Sequence, residues 1–307
     1  IRADWIHSAF FPMMSSNVAA LSLCINLTIA LDCLMTFFGS SANDACFNAW
    51  LTDISDDTNR GSIEGVNAMM PLVAILVVFG SFMSLDQGLT ESWVTIFNVI
   101  GIAVILVGVS GIFLIHDVPV KTEDNQNYFR NIFYGFRPDV VKTNRNLYFT
   151  LIALAVFNIS IQTFMPYLIL YYTETLKMTN YVLVFAPAIV LAAAFTGFYG
   201  KVYDQKGFKA AIIPTIVLLM VGYVILYVSR SMIPVFLGTL IMMCGFLGTG
   251  AVIGAKVRTH TPANKSGMFQ GLRIFAQVLI PGVIGPYIGS FVLRNADTIV
   301  NGDGTVS

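Results

Sequence analysis

Gln270, Arg273 and Gln277 stand in one long apolar run, Lys265 to Val292, at spacings of three and four. Those spacings put all three on one narrow side of a helix, where two amides and a guanidinium can hold an anionic solute group or an acidic side chain. Arg273 lies about eight residues, or ~12 Å, inside the end of its run, so it can also snorkel to lipid headgroups. A second run carries Asp32 with Thr36, Ser40 and Asn43, all within about 80° on a helix. There Asp32 can take up a proton or sodium ion, touch solute, or serve as a polar packing contact. A third run carries Asn158, Gln162, Tyr167 and Tyr171, with Pro166 as a kink. Amides and phenols donate, accept and cover ring faces, which suits a hydroxylated or zwitterionic solute. The same groups also serve as interhelical hydrogen bonds, and Tyr171 with Tyr172 can mark a membrane interface.

Such side chains in apolar runs need elements to position them, and composition says what those are. Hydrophobic residues are 56% of the chain and charged ones 11%, against roughly 25% charged in soluble domains. Runs of ~20 apolar residues, enough to cross a bilayer, recur at 17–50, 66–84, 92–115, 147–172, 181–200, 210–229, 232–257 and 266–293, which predicts eight spans. Their length and lack of strict alternation favour helices over barrel strands. The expected fold class is an all-α membrane protein, a helical bundle in lipid.

Basic residues orient it. Twelve fall in the connections after the first, third, fifth and seventh spans: Arg60; Lys121, Arg130, Arg137, Lys142 and Arg145; Lys201, Lys206 and Lys209; Lys256, Arg258 and Lys265. Only four, Arg2, Lys177, Arg230 and Arg294, lie on the other side. The first group is therefore expected in the cytoplasm. A formal net charge of zero gives no reason for a nucleic-acid partner. The cysteines Cys24, Cys33, Cys46 and Cys244 lack metal spacing or a disulfide framework, and the scattered His7, His116 and His260 form no cluster. No enzyme motif stands out, so no catalytic residue, metal or cofactor is expected. "NGDGT", Asn301 to Thr305, reads as a turn.

Two stretches repeat. "RGSIEGVN", Arg60 to Asn67, overlays "KSGMFQGLR", Lys265 to Arg273, with Gly61 on Gly267, Glu64 on Gln270, Gly65 on Gly271 and Asn67 on Arg273. Each comes after a span and a turn on the basic side, which suggests an internal duplication of the kind found in many secondary transporters. Between the copies lies the polar connection 116–146, with "KTEDNQN" and "GFRPDVVKTNRN". The expected divisions are 1–115, part of a first helical bundle; 116–146, a cytoplasmic linker; and 147–307, a second bundle.

The stretch "GKVYDQKGFK", Gly200 to Lys209, resembles the cytoplasmic loop motif of the major facilitator superfamily: Gly200, Asp204, Gly207 and Lys209 match, while Phe208 stands where a cation is common. That resemblance covers nearly the whole chain and maps its eight spans onto the fourth to eleventh of the family's twelve, implying a partial chain. It implies a multi-pass plasma-membrane protein, bacterial by expectation, that carries a small polar solute by alternating access with proton or sodium coupling. A loose likeness of "NAWLTDISDDTNRG" to the sugar:cation symporter branch suggests a sugar. It also implies a cytoplasmic gate of Arg60, Gly61, Asp204, Gly207, Lys209 and Arg258, with Asp204 under the start of the second span and paired with Arg258. The alternatives are a non-transporting receptor or sensor and a membrane-embedded enzyme.

Overall fold

A computed structural model describes residues 17–82, 85, 90–114, 134–178, 181–262 and 265–294. Arg2, His7, Lys121, Arg130, His116, "KTEDNQN" and "NGDGT" lie outside them. Every element described is helical, as lipid requires of backbone groups that must find partners within their own segment. Among the described residues, six helices are long and apolar enough to cross a membrane.

The chain divides after Trp50 into two units. In the first, α1 (Asn17–Ser40) runs into a π-helical stretch, Ser41–Phe47. The polar run "GSSAND" loosens the helix there: Ser41 Oγ donates to the Phe37 carbonyl at 2.7 Å and Asn48 Nδ2 to the Asn43 carbonyl at 3.0 Å. Side chains that reach back to the backbone widen a helical turn at little cost. α2 (Asn48–Asp53) continues the helix across the division.

The second unit holds α3 (Arg60–Phe82), α4 (Thr90–Leu114), the short α5 (Pro138–Thr143), α6 (Arg145–Phe164), α7 (Val182–Val228), α8 (Met232–His260), α9 (Ser266–Ile274) and α10 (Ile280–Arg294). A 3₁₀ turn at Met165–Tyr167 bends the chain after α6, where Pro166 removes a backbone donor. A π-helical turn, Phe275–Leu279, joins α9 to α10.

The eight expected spans correspond to six such helices among the described residues, because 181–200 and 210–229 fall in one of them and α3 is not among the six. Within α7 Gly207 has φ 77° and ψ 177°, so residues 182–206 and 208–228 are two arms on either side of a kink. Only glycine adopts that conformation without strain. α3 is 23 residues long, about 34 Å at 1.5 Å per residue, and is the other expected span outside the six.

α8 is the central helix, two-thirds buried in its most apolar stretch where the others reach 28% at most. Small residues let it approach α7 backbone to backbone: a Cβ on Gly222 would come 2.5 Å from Met242 Cα, and one on Gly245 would strike the Leu219 backbone. Around these contacts Ile161, Leu168, Val184, Leu219, Val235 and Met242 form a core. Outward, α4 exposes Phe97, Val107, Ile112 and Phe113, and α6 exposes Phe149 and Ile152. Apolar exposure along whole helices is the signature of a lipid-facing surface.

Gly222→Ala is expected to lower stability by about 1–3 kcal/mol through overpacking. Gly101→Ala, where a Cβ meets nothing within 4 Å, should instead be neutral or add up to about 1 kcal/mol through helix propensity. Thermal unfolding in detergent micelles separates the two.

Candidate functional site

Glu64 lies one turn inside α3, between Ile63 and Gly65. Its two oxygens are shared: Oε2 accepts from Arg258 Nε on α8, and Oε1 accepts from Arg273 Nη2 on α9 at 2.6 Å. Arg258 has no exposed surface, and the side chains of Glu64 and Arg273 are 6% and 7% exposed. Arg258 Nη1 also donates to Thr52 Oγ1 at 2.8 Å, and Arg273 Nε to Gln277 Oε1 at 3.3 Å. Gly254 makes room, since a Cβ there would run into the Glu64 carboxylate. Charges this dry are tolerated only when paired and hydrogen-bonded.

At the start of α3 a second carboxylate is held from outside the helix. Asp204 Oδ1 accepts the Gly61 N–H at 2.6 Å, and Oδ2 accepts the Ser62 N–H at 2.9 Å and Ser62 Oγ at 2.6 Å. The exposed donors and positive dipole end of a helix start are what an aspartate there satisfies. Glycine contact brings the partners together: a Cβ on Gly61 or Gly200 would collide with the other's backbone, and one on Gly65 would lie 2.8 Å from the Thr196 carbonyl oxygen. A reciprocal contact exists at the start of α9, where Ser266 Oγ donates to Asp53 Oδ1 at 2.7 Å.

The approach of Asp204 to α3 agrees with the expectation, but its pairing with Arg258 does not. Three donors from the first turn of α3 already occupy both Asp204 oxygens, whereas Arg258 reaches the flank of α3 a turn deeper and finds Glu64. Arg60 instead pairs with Asp57. In that loop Asp56 Oδ1 accepts from Thr58 Oγ1 at 2.6 Å and Thr58 N at 2.9 Å. The Thr58 hydroxyl, then its N–H, hold the Asp56 carboxyl below its ordinary range. Gly207 and Lys209 are exposed, and Lys256 lies 5.8 Å over the Phe208 ring, a cation supplied from α8 where the loop lacks its own.

Gln270 and Arg273 are buried, while Gln277, which Arg273 reaches one turn on, is exposed and lies within the π-turn Phe275–Leu279. Asn158 Nδ2 donates within its own helix to the Leu154 carbonyl at 2.9 Å. Gln162 and Tyr167 line the contact of α6 with α10, against Gly285 and Gly289. Asp32 and Asn43 are exposed in the first unit, and Asn43 Nδ2 donates to Asp44 Oδ1 at 3.1 Å. Glu64 and Thr52 were not singled out as site residues by sequence. The available signal was an acid in the repeated stretch at the position of Gln270.

A polytopic helical membrane protein whose repeated stretches meet through buried charge is the class these features define. The Major Facilitator Superfamily model matches residues 7–290, and the chain belongs to that family. No curated protein matches it, and no solved structure does.

Glu64→Gln leaves two guanidiniums facing one neutral amide, so it is expected to cost about 3–5 kcal/mol. Asp204→Ala, which frees two N–H groups at the start of α3, should cost about 1–2 kcal/mol. Both are read by thermal unfolding of the purified chain.

Proposed function

We infer that this family member is a secondary active transporter that moves a small polar solute by alternating access with ion coupling. In this reading the chain crosses the bilayer eight times, counting α3 and each arm of α7, with the basic loops in the cytoplasm. The observation that carries the reading is the shared Glu64 carboxylate, which ties α3 to α8 and α9. α3 and α9 begin at the equivalent positions Arg60 and Ser266 of the two repeated stretches. Thr52 and Arg258, separated by the same 206 residues as the repeats, touch, as residues near a pseudo-twofold axis do.

The contacts form a gate in three parts. Asp204 grips the start of α3, Asp53 grips the start of α9, and Glu64 joins the two arginines between them. Opening this end requires all three to break, and closing it re-forms them. Such an equilibrium is poised by a few kcal/mol and shifts with solute that favours one state. Arg273 and Gln270 then belong to the gate. Asp32 is the candidate for proton or sodium coupling, and Asn43, Gln162 and Tyr167 are the candidates for contact with a hydroxylated solute of the sugar class.

Two measurements test this. In a chain whose native cysteines are replaced by alanine, Ser55→Cys, buried beside Thr52, should react with N-ethylmaleimide at least threefold faster when Glu64→Gln is added. In proteoliposomes, counterflow of labelled monosaccharides and glycosides should be present in the parent. Asp32→Asn should keep counterflow while losing gradient-driven uptake. A chain that binds such a solute but shows no counterflow is a receptor, and the transport reading falls.

A further inference from the structure

The end of the connection between the repeated stretches makes a compact set of contacts that the gate does not account for. Tyr134–Phe136 is a 3₁₀ turn just before α5 and α6. Lys265 Nζ donates to Tyr134 Oη at 3.0 Å and lies 4.9 Å over the same ring. Tyr134 meets Phe269 edge-on at 5.9 Å, and Phe136 meets Phe275 edge-on at 5.7 Å. Between them Gly135 is buried beneath Leu272, whose Cδ1 would lie 2.5 Å from a Cβ at that position. The Tyr148 hydroxyl of α6 donates to the Gly135 carbonyl and fixes the turn to its own helix.

Tyr134 and Gly135 thus hold one side of α9, and Phe136 holds Phe275 at the start of the π-turn that follows it. Lys265, Phe269 and Leu272 fall within about 60° around the axis, while Gln270 and Arg273 are centred roughly 100° away. α9 is therefore gripped on one flank by this turn and on another by Glu64. It is only nine residues long and ends at the π-turn Phe275–Leu279, where the regular hydrogen-bond ladder is relaxed. A short helical segment bounded by such a turn can rotate without carrying α10 with it.

We propose that Tyr134, Gly135 and Phe136 are positioning residues for the gate: they set the rotation of α9 so that Arg273 meets Glu64. This rests on the gate reading above. Gly135 meets Leu272 of α9 and the Tyr148 hydroxyl of α6.

The test uses the same Ser55→Cys chain and N-ethylmaleimide in membrane vesicles, with Gly135→Ala, Glu64→Gln and both together. Gly135→Ala should raise the labelling rate at least threefold. In the double variant the rate should equal that of Glu64→Gln alone, because the turn has nothing left to position. Unchanged labelling in Gly135→Ala, or multiplied increments in the double variant, overturns the proposal. If Glu64→Gln itself leaves the rate unchanged, the gate reading falls and takes the turn's role with it. Should Gly135→Ala fail to fold, Lys265→Gln takes its place, with the same expectation and the same overturning results. Lys265→Arg, which keeps the cation over the ring, should restore the parent rate.

Discussion

A carboxylate shared by two guanidiniums inside a lipid-embedded bundle is the constraint on which the rest of the arrangement depends. Neither arginine can lose Glu64 without a charge stranded in a medium of low dielectric. The surrounding packing answers that demand. Gly254 leaves room for the carboxylate, Thr52 accepts the remaining reach of Arg258, and Gln277 accepts from Arg273 across the π-turn. Buried ion pairs add little to stability compared with apolar packing, so their value lies in being an all-or-none contact. That suits a joint that must be either made or broken.

Glycine contact and charge act on the same helix starts. The approach of Gly61 to Gly200 brings Asp204 within reach of two backbone donors that no residue of α3 can satisfy. A side chain at either glycine would push the aspartate out of range and uncap the helix. The specificity of the Gly200 to Lys209 stretch is therefore geometric. Gly200 permits closeness, Asp204 uses it, and Gly207 turns the chain between the two arms of α7 by taking a conformation closed to other residues.

Much of this was legible in the residue order. Apolar run length predicted helices, and the loop motif placed Asp204 under the start of α3. The repeat aligned Arg60 with Ser266, which proved to be the first residues of α3 and α9. The partner of Arg258 was not legible, because two acids lie one turn apart near the same helix start and only depth along the axis decides between them. The contact of Arg273 with Gln277 follows from their spacing of four, but the π-turn that holds Gln277 was not legible, because a π-turn has no sequence signal as strong as proline or glycine. The break at Gly207 was visible as a motif residue between two apolar runs.

The two ends of α9 show how a transporter can combine rigidity with movement. Its first turn is tied to Asp53 through Ser266, one flank to Glu64 and another to the Tyr134 turn, while its far end is a relaxed π-turn. Three ties and one loose joint define a lever. Breaking the ionic tie leaves α9 held by aromatic and amphipathic contacts, which are less directional than an ion pair and tolerate rotation. On the proposed gate reading, the ionic contacts decide whether this end is shut, and the aromatic ones guide how α9 moves.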